Sequence, residues 1–185
     1  PLKSTPDTIL YNQEYGIFIG CANSTPPLLI KNPQSNQIES RFLFEESSSF
    51  YATSIKASSS GKKVFIGNLI GNPIIFLNDQ IYKMNNLFLS EFGCYDAVWI
   101  TENNLLISSV TGNKVYLVNF NDSEFKIIKE YSVSKPYRFS PIIENVIALT
   151  TMSSNVVLFN IEKDNIPNIK KIINIPKSTH IKSFL

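Results

Sequence analysis

A four-strand pattern recurs along this chain with a period near 42 or 43 residues, and that recurrence narrows the fold more than any other feature. The asparagine closing each third apolar run stands at Asn32, Asn78, Asn119 and Asn160, in steps of 46, 41 and 41 residues. The residue opening each first run is Tyr51, Tyr95, Tyr137 and then His180, in steps of 44, 42 and 43. A turn asparagine before the third run, at Asn72, Asn113 and Asn155, steps by 41 and 42. Three independent markers thus keep one period.

The best copy runs from Lys62 to Asp79, KKVFIGNLIGNPIIFLND, and reads as two apolar strands joined at Gly71-Asn72. Both residue types tolerate the positive φ of a tight hairpin. Two glycines without a following Lys-Ser/Thr make no phosphate loop, so the stretch serves as the ruler of the repeat and holds no site of its own.

Taken in order, PLKSTPD is a lead-in loop, and TILYNQ, YGIFIGCA, PLLIKN and ESRFLFEE are the strands of a first unit. YATSIKAS, VFIGNLIG, PIIFLND and the less regular IYKMNNLFLSE make a second. In the third, YDAVWITE and LLISSVTG are separated by a turn at Asn103-Asn104, and KVYLVNF and EFKIIKEYSV follow. The last of these has Phe125, Ile128 and Tyr131 at helical spacing, but its place in the repeat argues for a strand. YRFSPIIE, NVIALTTMSS, NVVLFNIE and NIKKIINIP form a fourth unit, and HIKSFL opens a fifth. Approximate blades are 8–50, 51–94, 95–136 and 137–179, with a stub at 180–185.

With 185 residues, 43% hydrophobic and 17% charged, the chain can bury a core as one domain. A net charge of +2 demands neither nucleic acid nor an anionic membrane. No apolar run approaches the ~20 residues of a membrane span, so no membrane insertion is expected. Cys21 and Cys94 make no disulfide framework and favour a reducing, intracellular setting, cytoplasmic or nuclear. With His180 as the single histidine, a thiolate and imidazole metal site lacks ligands, and no cofactor is expected. The first residue is Pro1, which suggests an excerpt from a longer chain.

Four strands every 40 to 45 residues is the spacing of a β-propeller blade. The stretch SIKASSSGKKVFIGNLIGNPIIFLND, and less closely AVWITENNLLISSVTGNKVYLVNF and RFSPIIENVIALTTMSSNVVLFNI, resembles the WD40 family. The resemblance implies a propeller covering about residues 8 to 185. Its Trp-Asp signature is replaced by Leu77-Asn78, Val118-Asn119 and Phe159-Asn160, and the Gly-His dipeptide is absent. The hydrogen-bonded network of that family therefore does not carry over. Apolar packing between sheets has to hold the blades instead.

No catalytic constellation is supported by spacing. His180 has no glycine-flanked serine elbow to serve, the two arginines Arg41 and Arg138 form no cluster, and Asp96 and Glu144 are single acids on inner strands. The aromatic lead-ins to the first strands stand out: Phe50 and Tyr51, Phe92 and Tyr95, Tyr137 and Arg138. Tyrosine and arginine dominate binding hot spots, although tyrosines at blade period also pack sheets.

The sequence therefore predicts an all-β, partial propeller of about four blades plus the first strand of a fifth. Its expected role is a non-enzymatic, WD40-like protein-interaction scaffold in a larger eukaryotic assembly. Its expected partners are other proteins, the remaining blades of the same propeller or a capping chain. Two alternatives stand beside it. An RNA-associated propeller would use the lysines between Lys163 and Lys182, and a propeller hydrolase would show an acid pair in its channel.

Overall fold

A computed structural model describes residues 5–22, 25–31, 39–44, 49–85, 93–109 and 111–176. Its described residues contain strands and turns and no helix. They form four antiparallel sheets of four strands, each sheet in simple sequence order. The first holds β1 (Pro6–Asn12), β2 (Gly16–Cys21), β3 (Leu28–Lys31) and β4 (Glu39–Phe42). The second holds β5 (Ala52–Ala57), β6 (Val64–Asn68), β7 (Ile74–Leu77) and β8 (Gln80–Lys83). The third holds β9 (Cys94–Trp99), β10 (Asn104–Ser109), β11 (Lys114–Asn121) and β12 (Glu124–Ser132), and the fourth β13 (Pro136–Phe139), β14 (Val146–Thr151), β15 (Asn155–Ile161) and β16 (Pro167–Asn174). The expected four-stranded blades are thus present. The stub at 180–185, with His180, lies outside the described residues.

The chain divides into two compact units, Pro1–Cys94 and Tyr95–Leu185. In the first, Phe18, Leu29, Ile55, Ile66, Ile74 and Phe76 form one buried cluster. In the second, Leu117, Tyr131, Phe139, Ile147, Val157 and Phe159 do the same. β6 is buried on both faces, which is why it opens on three consecutive apolar residues, Val64, Phe65 and Ile66, in place of an alternation.

A tyrosine joins the sheets in each unit. Tyr15 lies edge-on to Phe76, with centroids 5.0 Å apart at 90°. Its hydroxyl donates to the Lys62 carbonyl (2.8 Å) and accepts from the Asn78 amide (3.1 Å). Tyr131 lies edge-on to Phe159 at 5.2 Å and 84°, and its hydroxyl donates to the Pro167 carbonyl. β12 alternates inward and outward along its length, so Tyr131 faces inward and Ile128 is exposed, and the helical spacing of Phe125, Ile128 and Tyr131 has no structural counterpart.

Burial, with a smaller contribution from Asp164, pushes the Tyr131 phenol up to about 12 from an ordinary 10.0. In the unfolded chain it ionises near 10 and in the folded chain near 12, so its contribution is complete below pH 10 and is lost as pH rises to about 12. Urea unfolding between pH 8 and 12 is expected to show that loss, and Tyr131→Phe to remove on the order of 2 kcal/mol of the pH dependence.

The turns correct one expectation. Positive φ occurs at Asn78 and Asp79 (51° and 61°), at Asp122 and Ser123 (48° and 69°) and at Glu144 and Asn145 (48° and 63°), the paired values of two-residue hairpins. Neither Gly71 nor Asn72 has a positive φ. That connection is shaped by Asn68, whose Oδ1 accepts the amides of Tyr51 (3.1 Å) and Ile70 (3.2 Å) and whose Nδ2 donates to the Asn72 carbonyl (3.4 Å). Likewise Asn104 opens β10, and the turn before it is held by the Thr101 hydroxyl, which accepts the Asn103 and Asn104 amides.

Candidate functional site

The aromatic lead-ins separate once their surroundings are known. Phe50 is 4% exposed and stacks on Phe44 at 5.4 Å and 26°, so it is a core residue that cannot offer its ring to a partner. Tyr51 is half-buried, with its amide on Asn68. Phe92 lies outside the described residues. In the second unit Tyr95 and Tyr137 meet at 4.7 Å and 65°, and the Arg138 guanidinium lies 5.4 Å from the centre of the Tyr137 ring. All three are half-buried. The fold therefore gathers Tyr95, Tyr137 and Arg138 into one wall of two rings and a guanidinium.

Local backbone chemistry sets this wall. β13 pairs with β14 at Pro136 with Thr151 and at Phe139 with Leu149, with one extra residue on the β13 side. Tyr137 and Arg138 thus sit in a bulge, a device that re-aims side chains. Side chains take over the missing ladder. The Ser108 hydroxyl lies 3.0 Å from the Tyr137 carbonyl, the Arg138 amide donates to Thr150 Oγ1 (3.2 Å), and the Phe139 amide donates to Asp96 Oδ2 (2.9 Å). The Asp96 amide donates in turn to Ser108 Oγ (2.9 Å).

Sequence reasoning passed over Ser108 and Thr150, and counted Asp96 only as a single acid on an inner strand. Asp96 is 1% exposed. Glu144, expected on an inner strand, lies in an exposed turn.

A polar cleft belongs to the first unit, about 550 Å³ in volume and lined by Asn12, Glu14, Tyr15, Lys31, Asn78 and Asp79. Asp79 Oδ1 lies 2.9 Å from Lys31 Nζ and 2.8 Å from Arg41 Nη2. The hydrogen bond from Lys31, more than the two positive charges, holds the Asp79 carboxyl below its usual range. Both cations are engaged, and Glu14 shares the cleft, so the arrangement has no evident pull on an anion. Asp79 is 52% exposed, and such pairs contribute little stability.

Other chemistries fare as follows. Cys21 and Cys94 are buried free thiols, and burial raises the Cys21 thiol. Among the described residues no group of three or more His, Cys, Asp or Glu side chains is placed to hold a metal ion. Among the described basic residues, Lys31 and Arg41 meet Asp79, Lys114 meets Glu130 and Lys129 meets Asn168.

No family model and no curated protein matches the chain. Solved structures do. A protein assigned as a 6-phosphogluconolactonase from Bacteroides uniformis matches 93% of this chain and 55% of its own, at 11% identity and a TM-score of 0.72. The periplasmic gluconolactonase of Pseudomonas aeruginosa matches 91% of this chain and 57% of its own, at 8% identity and a TM-score of 0.66. The β-propeller domain of Myceliophthora thermophila Cps50 (Swd1) matches 95% of this chain and 61% of its own, at 11% identity and a TM-score of 0.68. The chain thus spans a little over half the length of each.

At such identities the likeness shows the fold alone. It overturns the expectation that the chain is not an enzyme, because proteins named as lactonases share this architecture. The WD40 resemblance holds at the level of the blade and no further. The chain carries a β-propeller-type fold of four-stranded antiparallel blades.

Proposed function

We propose that this chain belongs to a propeller that binds a small anionic, ring-shaped molecule, and that its activity is hydrolysis of a sugar lactone. The observation that carries the reading is the Tyr95, Tyr137 and Arg138 wall at the lead-ins to β9 and β13. Paired phenol rings suit the apolar face of a sugar ring, and a guanidinium suits a phosphate or carboxylate substituent. The lactonase names among the fold neighbours support the reaction class. In that reaction water adds to the lactone carbonyl, the ring C–O bond breaks, and the water's protons leave on the new alcohol and as acid. The three residues bind and orient.

Acid release from 6-phosphoglucono-δ-lactone and glucono-δ-lactone provides the test. The protein is expected to outpace the spontaneous reaction and to prefer the phosphorylated lactone. Arg138→Ala is expected to raise KM for the phosphorylated lactone by roughly 10–100-fold more than for the other, the worth of a charged hydrogen bond. Spontaneous rates throughout, together with no change in tyrosine fluorescence on adding 6-phosphogluconate, would sink the reading. A protein-contact surface is the second reading, favoured by the Cps50 (Swd1) match and by the hot-spot character of the same residues.

A further inference from the structure

We infer that Asp96 is the positioning residue of the Tyr95, Tyr137 and Arg138 wall, holding the two rings together through the backbone of β13. This rests on the proposed binding role of that wall, and it adds a residue that reaches no ligand itself.

The geometry is specific. Asp96 follows Tyr95 on β9, and its Oδ2 accepts the amide of Phe139, two residues after Tyr137. One carboxylate therefore spans the gap between the strands that carry the two rings. Its own amide is fastened to Ser108 Oγ, and that hydroxyl lies between the Asp96 carbonyl (3.1 Å) and the Tyr137 carbonyl (3.0 Å). Regular strand pairing is interrupted here, because the register shifts between Pro136 and Phe139 and Arg138 is held by the Thr150 side chain of β14 instead.

The second sheet supplies a comparison. β5 carries a bulge between Ala52 and Ile55, with Thr53 and Ser54 inside it. There the buried Thr53 hydroxyl bonds the Cys94 carbonyl at 2.6 Å. That hydroxyl belongs to the bulge itself and bonds a carbonyl outside it, whereas the backbone of the β13 bulge is held by Ser108, Thr150 and Asp96 from other strands. A carboxyl group at 1% exposure is costly to bury, which sets Asp96 apart from the hydroxyls around it. The β5 bulge holds Thr53 and Ser54, both buried, and the β13 bulge holds Tyr137 and Arg138, both half-buried, beside the Tyr95 ring. The carboxylate goes with the wall.

Near-UV circular dichroism of the tyrosines reads the ring pair without any ligand, with Tyr95→Leu and Tyr137→Leu defining its share. Asp96→Ala is expected to lose more than half of that share and to raise KM for 6-phosphoglucono-δ-lactone by about 10-fold with a much smaller change in kcat, as misplacement of a binding group does. Asp96→Asn, which restores an acceptor at the same point, is expected to recover most of both losses. An unchanged ring signal in folded Asp96→Ala overturns the inference. If that variant does not fold, Ser108→Ala decides, since it cuts the same link beside Tyr137: a weakened ring signal supports the assignment and an intact one overturns it. Absence of lactone hydrolysis in the wild-type protein would count against the proposed function, while the ring signal would still decide the role of Asp96.

Discussion

Phe76→Ala is expected to destabilise the first unit by about 3–5 kcal/mol, the usual cost of deleting a buried phenyl ring. Phe76 is fully buried and meets Tyr15 at 5.0 Å and Phe18 at 5.3 Å, both edge-on. Such ring contacts add about 0.5–1.5 kcal/mol beyond area burial, so the loss falls near the upper end of the range. The cavity would also remove the ring against which Tyr15 holds its hydroxyl on Lys62 and Asn78. Leu77→Ala, one residue on and only half-buried, is expected to cost much less. Urea unfolding of the two variants side by side checks the order. Equal losses would show that Leu77, at the position of the WD40 tryptophan, carries the packing after all.

Gly16→Ala is the other substitution with a large expected effect. Gly16 has φ of 110°, and a Cβ placed on it would lie 2.2 Å from the Ile30 carbonyl oxygen. That oxygen belongs to β3, which pairs with β2 through Ile17 and Ile30. The clash is with backbone and cannot be relieved by a rotamer, so one of the two strands has to move. A loss of at least about 3 kcal/mol is expected, from strain and the opened ladder together. Gly61→Ala is the control. Its φ of 77° is also left-handed, but the nearest atom, Asn12 Nδ2, is 3.4 Å away, so only the conformational cost of about 1 kcal/mol remains. Thermal unfolding of both variants separates steric from conformational cost.

The blades were legible because an inward-facing strand has to be apolar, and the repeat placed those runs at one interval. The ambiguity of EFKIIKEYSV resolved for the same reason: β12 pairs with β11 along its length, and pairing requires alternation. Turns were less legible, since a hairpin can be shaped from outside it. Asn68 folds the Gly71-Asn72 connection with its own side chain, and nothing local to the two turn residues announces that. The wall was half legible. Tyr95, Tyr137 and Arg138 stood out by residue type, whereas Phe50 looked the same in sequence and proved to be core, because a ring's exposure depends on neighbours far along the chain. Asp96, Ser108 and Thr150 had no signal of their own. Their importance comes from an extra residue in β13, and a bulge has no fixed sequence signature.

The bulge in β13 also bears on how this surface can change over generations. The backbone of Tyr137, Arg138 and Phe139 is tied down by three side chains from other strands, Ser108, Thr150 and Asp96. The side chains at 137 and 138 are therefore relieved of holding their own strand in place. Most positions in a four-stranded sheet have to satisfy folding before anything else. Here the two duties fall on different residues, so recognition can be rewritten at two adjacent positions, by selection or by a library, while the scaffold beneath them stays as it is.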